Sequence, residues 1–98
     1  MRIRFGDRGL ERLETDPGYT AGLGHDIVKA FRKVVQVIRN AMDERDLYAM
    51  KSLHYEKLKG QRSHERSLRL NIQFRLIVEL DQGDVKTVVV VGIEKHYR

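Results

Sequence analysis

The spacing of the apolar residues changes once along this chain, near residue 52, and this change restricts the fold more than any other feature. Before it, apolar residues recur at steps of three and four, which places them along one side of a helix. The pattern predicts a helix over residues 25–42 with its apolar stripe in the core, and shorter helical segments over residues 6–14 and 43–50. The stripe of the long helix consists of Ile27, Phe31, Val34, Ile38 and Ala41.

After residue 52, apolar and polar residues alternate, as they do in strands that bury one face. The last of these stretches is apolar throughout, which suits a strand at the sheet centre with both faces covered. Gly92 within it predicts a bulge or a close approach. A short N-terminal stretch alternates as well and predicts an edge strand. The predicted strands cover residues 1–5, 53–58, 67–72, 74–80 and 85–93.

The even-numbered positions of the two middle strands are apolar, so both strands bury the same face only if an odd-numbered loop joins them. A three-residue loop at residues 71–73 satisfies this condition. It also places Arg69 opposite Arg75. Two like charges facing each other across strands are unfavourable, and an anion bound between them would explain the arrangement.

The elements together predict a single α+β domain over residues 1–98. An N-terminal strand and helices pack on one face of an antiparallel four-stranded meander. The absence of cysteine excludes disulfides and thiolate metal sites. No apolar run approaches the ~20 residues that cross a bilayer, and the N-terminus lacks the apolar region of a secretory signal. We therefore expect a cytoplasmic protein that does not contact a membrane.

Positive charge is concentrated in residues 51–75, which hold seven basic and two acidic residues. This segment has a net charge of +5, the same as the whole chain, so the remaining residues balance. A focused positive field attracts polyanions, of which nucleic acid is the commonest. Arg62, Arg66 and Arg69 in this segment, with Lys95 beyond it, are predicted to bind RNA. The alternative interpretation is a solvated, lysine-rich edge strand.

Several other chemistries lack the residues that they need. The chain has neither a GxGxxG nor a P-loop motif, and its serines have no base or oxyanion context. His54 and His64 lack a third metal ligand, and their basic surroundings repel a cation. We therefore expect neither a metal nor another cofactor.

RNA cleavage is better supplied, because RNA carries its own nucleophile in the 2′-hydroxyl. The protein needs only to take a proton, give a proton and stabilise negative charge on the phosphate. Histidine, lysine and tyrosine can transfer protons, and arginine and lysine can stabilise the charge. The catalytic candidates are His54, Lys57, Lys59, Arg75, His96 and Tyr97. Each has a plainer interpretation: Tyr97 as a core cap, His96 as a terminal residue, and the lysines as edge charges.

The same region resembles the RelE/ParE superfamily of toxins, and in particular its HigB-like, plasmid maintenance killer branch. The likeness covers roughly residues 24–98 and rests on several spaced motifs in the family's order. Two features depart from the family pattern: Phe74 replaces the usual tryptophan, and Lys95-His96-Tyr97 stands where many relatives have Asp-Tyr-His. The motifs are Leu53-His54, Leu58-Lys59-Gly60, Leu68-Arg69-Leu70-Asn71, Phe74-Arg75 and the tail from Glu94 to Tyr97.

This resemblance implies a ribosome-dependent endoribonuclease that cuts messenger RNA in the decoding site. It also implies a cognate antitoxin, usually a helix-turn-helix protein. His54 matches the catalytic histidine and Arg75 the arginine that contacts the scissile phosphate. Either His96 or Tyr97 would transfer the second proton. The residues that match the basic, RNA-facing set are Lys57, Lys59, Arg62 and Arg69.

Two other functions remain open from the sequence. A ParE-like inhibitor of DNA gyrase would use the same fold, although the dense histidine, lysine and arginine face argues against it. A non-catalytic module that binds RNA or an acidic protein would show strongly salt-dependent binding without cleavage.

Overall fold

The computed structural model describes residues 1–81, 83 and 86–96, so the predicted site residue Tyr97 lies outside the described residues. The helices are α1 (Arg8–Thr15), α2 (His25–Asn40) and α3 (Glu44–Ala49). The strands are β1 (Arg2–Phe5), β2 (Glu56–Lys57), β3 (Glu65–Arg69), β4 (Phe74–Asp81) and β5 (Thr87–Lys95). Short 3₁₀ turns occupy Lys51–Leu53 and Gly60–Arg62. No helix among these described residues is long and apolar enough to span a membrane.

The strands form one five-stranded sheet in the order β1-β5-β4-β3-β2. Strands β2 to β5 make the predicted antiparallel meander, and the α+β class is confirmed. The N-terminal strand joins the same sheet beside β5 and runs parallel to it, so the sheet is mixed rather than purely antiparallel. Parallel neighbours require a crossover connection, which the helices between β1 and the meander supply.

The core lies between α2 and one face of the sheet. The apolar stripe of α2 is buried as predicted, with Phe31 and Ile38 at 0% exposure and Val34 at 6%. It belongs to the same core as Leu68 on β3 and Leu76 on β4. The even-numbered faces of these two strands therefore both meet the helix. Burial of this stripe supplies most of the free energy that holds the helix on the sheet.

The predicted register between β3 and β4 is confirmed, because Arg69 pairs directly with Arg75. The loop between them is held by Asn71, whose Oδ1 accepts hydrogen bonds from the backbone N–H groups of Gln73 at 2.8 Å and Phe74 at 2.7 Å. This Asx turn ends β3 at Arg69, earlier than the predicted residue 72. Because the loop is short and tied, the two arginines stay side by side.

Strand β5 has the bulge that Gly92 predicted. Ile77 pairs with Gly92 while Val78 pairs with Val90, which leaves Val91 as the extra residue. The expectation that both faces of β5 are covered was wrong at this point, since Val91 is 38% exposed. The bulge restores the register beyond it, so that Glu94 pairs with Arg75.

The first predicted strand of the meander is much shorter than residues 53–58. Only Glu56–Lys57 pair with β3, and Leu53 ends a 3₁₀ turn instead. Leu53 and Tyr55 are nevertheless buried, at 4% and 7% exposure. The alternating residues Leu53 and Tyr55 are therefore buried as expected, but they flank the turn at His54 instead of belonging to a strand.

Candidate functional site

A cleft of about 160 Å³ opens where the β3–β4 loop, the start of β2 and the end of β5 come together. Its basic lining residues are His54, Arg69, Arg75 and His96. They come from four separate places in the chain, and the sheet register brings them to one site. Sequence reasoning had selected all four, and their roles remain a prediction.

His54 occupies a left-handed backbone conformation, with φ 46° and ψ 45°. Residues with a Cβ avoid this region, and such conformations are concentrated at functional sites. Its neighbours Leu53 and Tyr55 are buried and hold the backbone in place. The Tyr55 hydroxyl adds an anchor by donating to Glu44 of α3 at 2.6 Å, and burial raises the pKa of that hydroxyl above its usual value. The imidazole of His54 is thereby directed outward into the cleft.

The side chains of His54 and Arg69 contact each other, with Arg69 NH1 3.2 Å from His54 Nε2. A guanidinium can only donate hydrogen bonds, so Nε2 is the acceptor and carries no proton in this contact. The remaining proton of the imidazole therefore lies on Nδ1. The lone pair of Nε2, the atom that could accept a proton, is therefore occupied by Arg69 in this structure.

Arg75 is the least accessible cation of the cleft, with its side chain 20% exposed. Its Nε is buried and has no hydrogen-bond partner among the described residues. Its nearest carboxylate belongs to Glu94 on β5, at 3.7 Å from NH2 to Oε1, which exceeds hydrogen-bond length. A buried donor without a partner costs about 1–3 kcal/mol. The Nε–H of Arg75 is therefore an unused donor, and NH2 makes only a long ion pair with Glu94.

Arg62 crosses this face of the sheet from β3 to β5. Its Nε donates to Glu65 at 2.5 Å, and NH1 and NH2 donate to the two oxygens of Glu94 at 3.0 and 2.6 Å. The hydrogen bonds from Arg62 lower the pKa of Glu94, with a further contribution from Arg75, and the pKa of Arg62 is raised in return. Arg62 does not line the cleft, and its donors are already bound to carboxylates, unlike the RNA-facing residue predicted from the sequence.

His96 follows the end of β5 and is held beside the cleft by a backbone hydrogen bond. The His96 N–H donates to the carbonyl of Gln73 at 2.5 Å, which ties the tail to the β3–β4 loop. Lys95 pairs with Phe74 and is exposed, and it does not line the cleft. Tyr97, the predicted alternative to His96 for proton transfer, is outside the described part of the chain.

The remaining predicted cations lie away from the cleft. Lys57 pairs with Arg66 across β2 and β3. Each is the strand neighbour of a residue that lines the cleft, Glu56 on β2 and Ser67 on β3. Successive residues point to opposite faces, so Lys57 and Arg66 lie on the helix side of the sheet. Arg66 Nε is 3.2 Å from Glu44 of α3. Lys59 precedes the 3₁₀ turn, is exposed and is also absent from the cleft. The structure therefore does not bring these three residues together with His54.

Sequence reasoning missed three polar lining residues, namely Glu56, Ser67 and Asn71. Glu56 pairs with Ser67 across β2 and β3, so both side chains face the cleft. The alternation of Ser67, Arg69 and Asn71 was visible in the sequence and placed them on one face. The position of Glu56 was not, because it depends on where β2 begins.

His64 has two carboxylate neighbours that the sequence did not indicate. Ligand atoms of His64, Glu65 and Glu79 lie within 4.8 Å of one another, because Glu65 pairs with Glu79 across β3 and β4. His64 Nε2 is 3.4 Å from Glu79 Oε1, while Glu65 is bonded to Arg62. One of the three potential ligands is thus already neutralised by a cation. We treat the group as an ion-pair network that joins the loop to the sheet.

The sequence matches the model of a family described as RelE-like toxins of the type II toxin–antitoxin system HigB, over residues 3–96. The chain belongs to the HigB-like toxin family. This HigB-like toxin is therefore a toxin of a type II toxin–antitoxin system, and the superfamily predicted from the spaced motifs is confirmed.

Solved structures agree with this assignment at the level of the fold. The HigB-like toxin is similar to a YoeB/ParE toxin from Agrobacterium tumefaciens, with 16% identity, a TM-score of 0.59 and coverage of 99% of this chain and 100% of that one. A YoeB–YefM complex from Staphylococcus aureus matches with 20% identity and a TM-score of 0.59, covering 99% and 98%. YafQ from E. coli strain BL21(DE3) matches with 11% identity and a TM-score of 0.57, covering 98% and 94%. A comparison with curated protein sequences finds no match.

Proposed function

We propose that this HigB-like toxin is a metal-independent endoribonuclease that cleaves messenger RNA on the ribosome. The observation that supports the proposal most strongly is the convergence of His54, Arg69, Arg75 and His96 on one cleft. Two imidazoles supply proton transfer and two guanidiniums supply positive charge. These are the functions that transesterification of RNA requires from a protein.

In the proposed reaction, Nε2 of His54 takes the proton of the 2′-hydroxyl. The freed oxygen attacks the adjacent phosphorus, and the bond from phosphorus to the 5′-oxygen breaks. That leaving oxygen receives a proton from His96 or from Tyr97, and the products are a 2′,3′-cyclic phosphate and a 5′-hydroxyl. His54 is suited to the first role because its imidazole lines the cleft, and Nε2 becomes free to accept the proton once the substrate phosphate draws the Arg69 guanidinium away.

Charge stabilisation falls to Arg69 and Arg75 in this scheme. They face each other directly across β3 and β4, so an anion between them would contact both guanidiniums. A phosphate bound there would replace mutual repulsion with charge-assisted hydrogen bonds. The negative charge that develops on the phosphate in the transition state strengthens those bonds, and this is the difference that accelerates a reaction.

The ribosome enters the proposal through the small size of the site. A cleft of about 160 Å³ encloses little more than a ribose–phosphate bend, so most of the positioning of the message falls to the decoding site. A cognate antitoxin is the second expected partner, and we expect it to neutralise the toxin by covering the cleft. The YoeB structure noted above is a complex with YefM, and a comparable complex is proposed for this toxin.

The test is to add the purified toxin to a translating bacterial extract and to map the ends of the messages. We expect new 5′-hydroxyl ends within translated regions. Arg75→Ala should remove them while circular dichroism and the unfolding temperature show an intact fold. Unchanged messages at confirmed levels of wild-type protein would refute the nuclease proposal, and a parallel supercoiling assay would then test the alternative of gyrase inhibition.

A further inference from the structure

Two arginines on the same face of the sheet compete for one carboxylate. Glu94 pairs with Arg75 in the β4–β5 register, so Arg75 is its direct cross-strand neighbour. The hydrogen bonds of Glu94 nevertheless go to Arg62, at 3.0 Å from NH1 and 2.6 Å from NH2. Arg75 remains at 3.7 Å, with its Nε unpartnered among the described residues.

The geometry of Arg62 explains why Glu94 is not shared. Arg62 donates to both oxygens of Glu94, which is the bidentate arrangement that arginine and carboxylate prefer. Its third donor, Nε, is anchored by Glu65 on β3. The guanidinium is thus fixed between two carboxylates on either side of β4. Both oxygens of Glu94 accept a bond from Arg62, and this geometry holds the nearer one, Oε1, at 3.7 Å from Arg75 NH2, beyond hydrogen-bond length.

We propose that Arg62 is a positioning residue that withholds Glu94 from Arg75 and so leaves Arg75 available to bind a phosphate. The inference deepens the proposed function, because the phosphate would be that of the scissile RNA. Without Arg62, Glu94 would turn toward the buried, unpartnered Nε and the adjacent NH2 of Arg75. An internal carboxylate would then occupy the guanidinium that the substrate needs.

This role differs from a direct contact between Arg62 and RNA, and a pair of variants separates the two. Arg62→Ala should weaken phosphate binding in either case. The double variant Arg62→Ala/Glu94→Gln removes the competing charge, so binding should recover only if Arg62 acts through Glu94. If Arg62 contacts RNA directly, the double variant should bind as weakly as Arg62→Ala.

The measurement uses the full chain, with inorganic phosphate and a short 2′-O-methyl RNA oligonucleotide as uncleavable probes. Arginine Nε–H signals of the ¹⁵N-labelled protein report on Arg75 directly. We expect the Arg75 signal to move when phosphate is added to the wild type. In Arg62→Ala that signal should shift without any ligand, because Glu94 has become its partner, and the affinity for both probes should fall about tenfold.

A matched control is Arg45→Ala, which removes an arginine whose side chain is 91% exposed and which pairs with Asp43 outside the cleft. It lowers the net charge by the same amount and should leave probe affinity within about twofold of the wild type. Unfolding temperatures of all variants identify any general loss of structure. The double variant should restore binding to within about twofold of the wild type.

Three results would overturn the inference: no recovery in the double variant, no ligand-free shift of Arg75 in Arg62→Ala, or no response of Arg75 to phosphate in the wild type. These readouts do not depend on cleavage. If the binding pattern holds but messages stay intact, the nuclease proposal fails and the positioning role stands. If cleavage needs Arg75 but the double variant does not recover, the reverse is true.

Discussion

Arg69 and Arg75 occupy directly opposed positions on neighbouring antiparallel strands. Like charges in such a pair destabilise a sheet by a few tenths of a kcal/mol up to about 1 kcal/mol. The pair is therefore a cost to the fold that binding of an anion would reverse. A site arranged in this way should trade stability for function in a measurable manner.

Replacing Arg69 by Gln should raise the free energy of unfolding by about 0.5 kcal/mol, because it removes the opposed charge. The same change should lower the yield of cleaved message at least tenfold. Urea unfolding and the translating extract measure the two effects. Arg69→Lys keeps the charge and is the control, with no gain in stability expected. A loss of stability in Arg69→Gln would show that the contacts of Arg69 with His54 and the Asn71 carbonyl outweigh the repulsion.

The backbone conformation of His54 predicts that its glycine and alanine variants differ in stability. Its φ of 46° suits glycine, whereas an alanine in this region costs roughly 1 kcal/mol. His54→Gly should therefore be about 1 kcal/mol more stable than His54→Ala, although both should lack nuclease activity. Thermal unfolding compares the variants directly. Equal stabilities would mean that the backbone at residue 54 relaxes into an ordinary conformation.

Asn71 predicts a link between the loop and the site. Asn71→Ala removes the acceptor for two backbone N–H groups and should cost about 1 kcal/mol of stability. Because the loop sets the distance between Arg69 and Arg75, phosphate affinity should fall as well. Asn71→Asp keeps a side-chain oxygen and should retain most of the stability, which chemical denaturation would reveal. Comparable losses in both variants would argue that the amide contact with Asp26 matters more than the turn.

Glu94 predicts a specific response to acid. Its pKa is lowered in the folded protein, chiefly by hydrogen bonds from Arg62, so the unfolded chain takes up a proton first as the pH falls. The stability from this group is present above the ordinary carboxyl value of 4.5 and is lost as the pH falls through the lowered folded value. Unfolding free energies measured between pH 6 and pH 3 should decline less steeply in Glu94→Gln than in the wild type. If the two proteins lose stability equally over this pH range, Glu94 does not contribute to the acid response.

Much of the site could be predicted from the sequence, because it depends on the alternation of side chains along each strand and on whether the loop between two strands has an odd number of residues. The alternation in β3 and β4, with an odd-numbered loop, was enough to place Arg69 opposite Arg75. The position of His96 also followed, since a central last strand must end beside its neighbours. These inferences need only the pleat of a strand and the burial of one face.

Other features depended on contacts that no local pattern contains. Lys57 was assigned to the site from its charge and the family resemblance, whereas the β2–β3 register places it opposite Arg66, on the other face from Glu56 and Ser67. Arg62 was expected to face RNA; its pair with Glu65 is local, three residues along, but Glu94 meets it only after the sheet has formed. The sequence showed where the positive charges lie and could not show which of them are already neutralised.

The parallel pairing of β1 with β5 has a consequence for how the toxin comes into being. Residues 2–5 pair with residues 87–90, so the first strand to be synthesised must wait for the last one before it can enter the sheet. Closing so long a loop is slow, and β5 also carries His96, a wall of the cleft. The cleft therefore cannot form until β5 has been made and has entered the sheet, so any activity that depends on the cleft follows the assembly of the whole sheet.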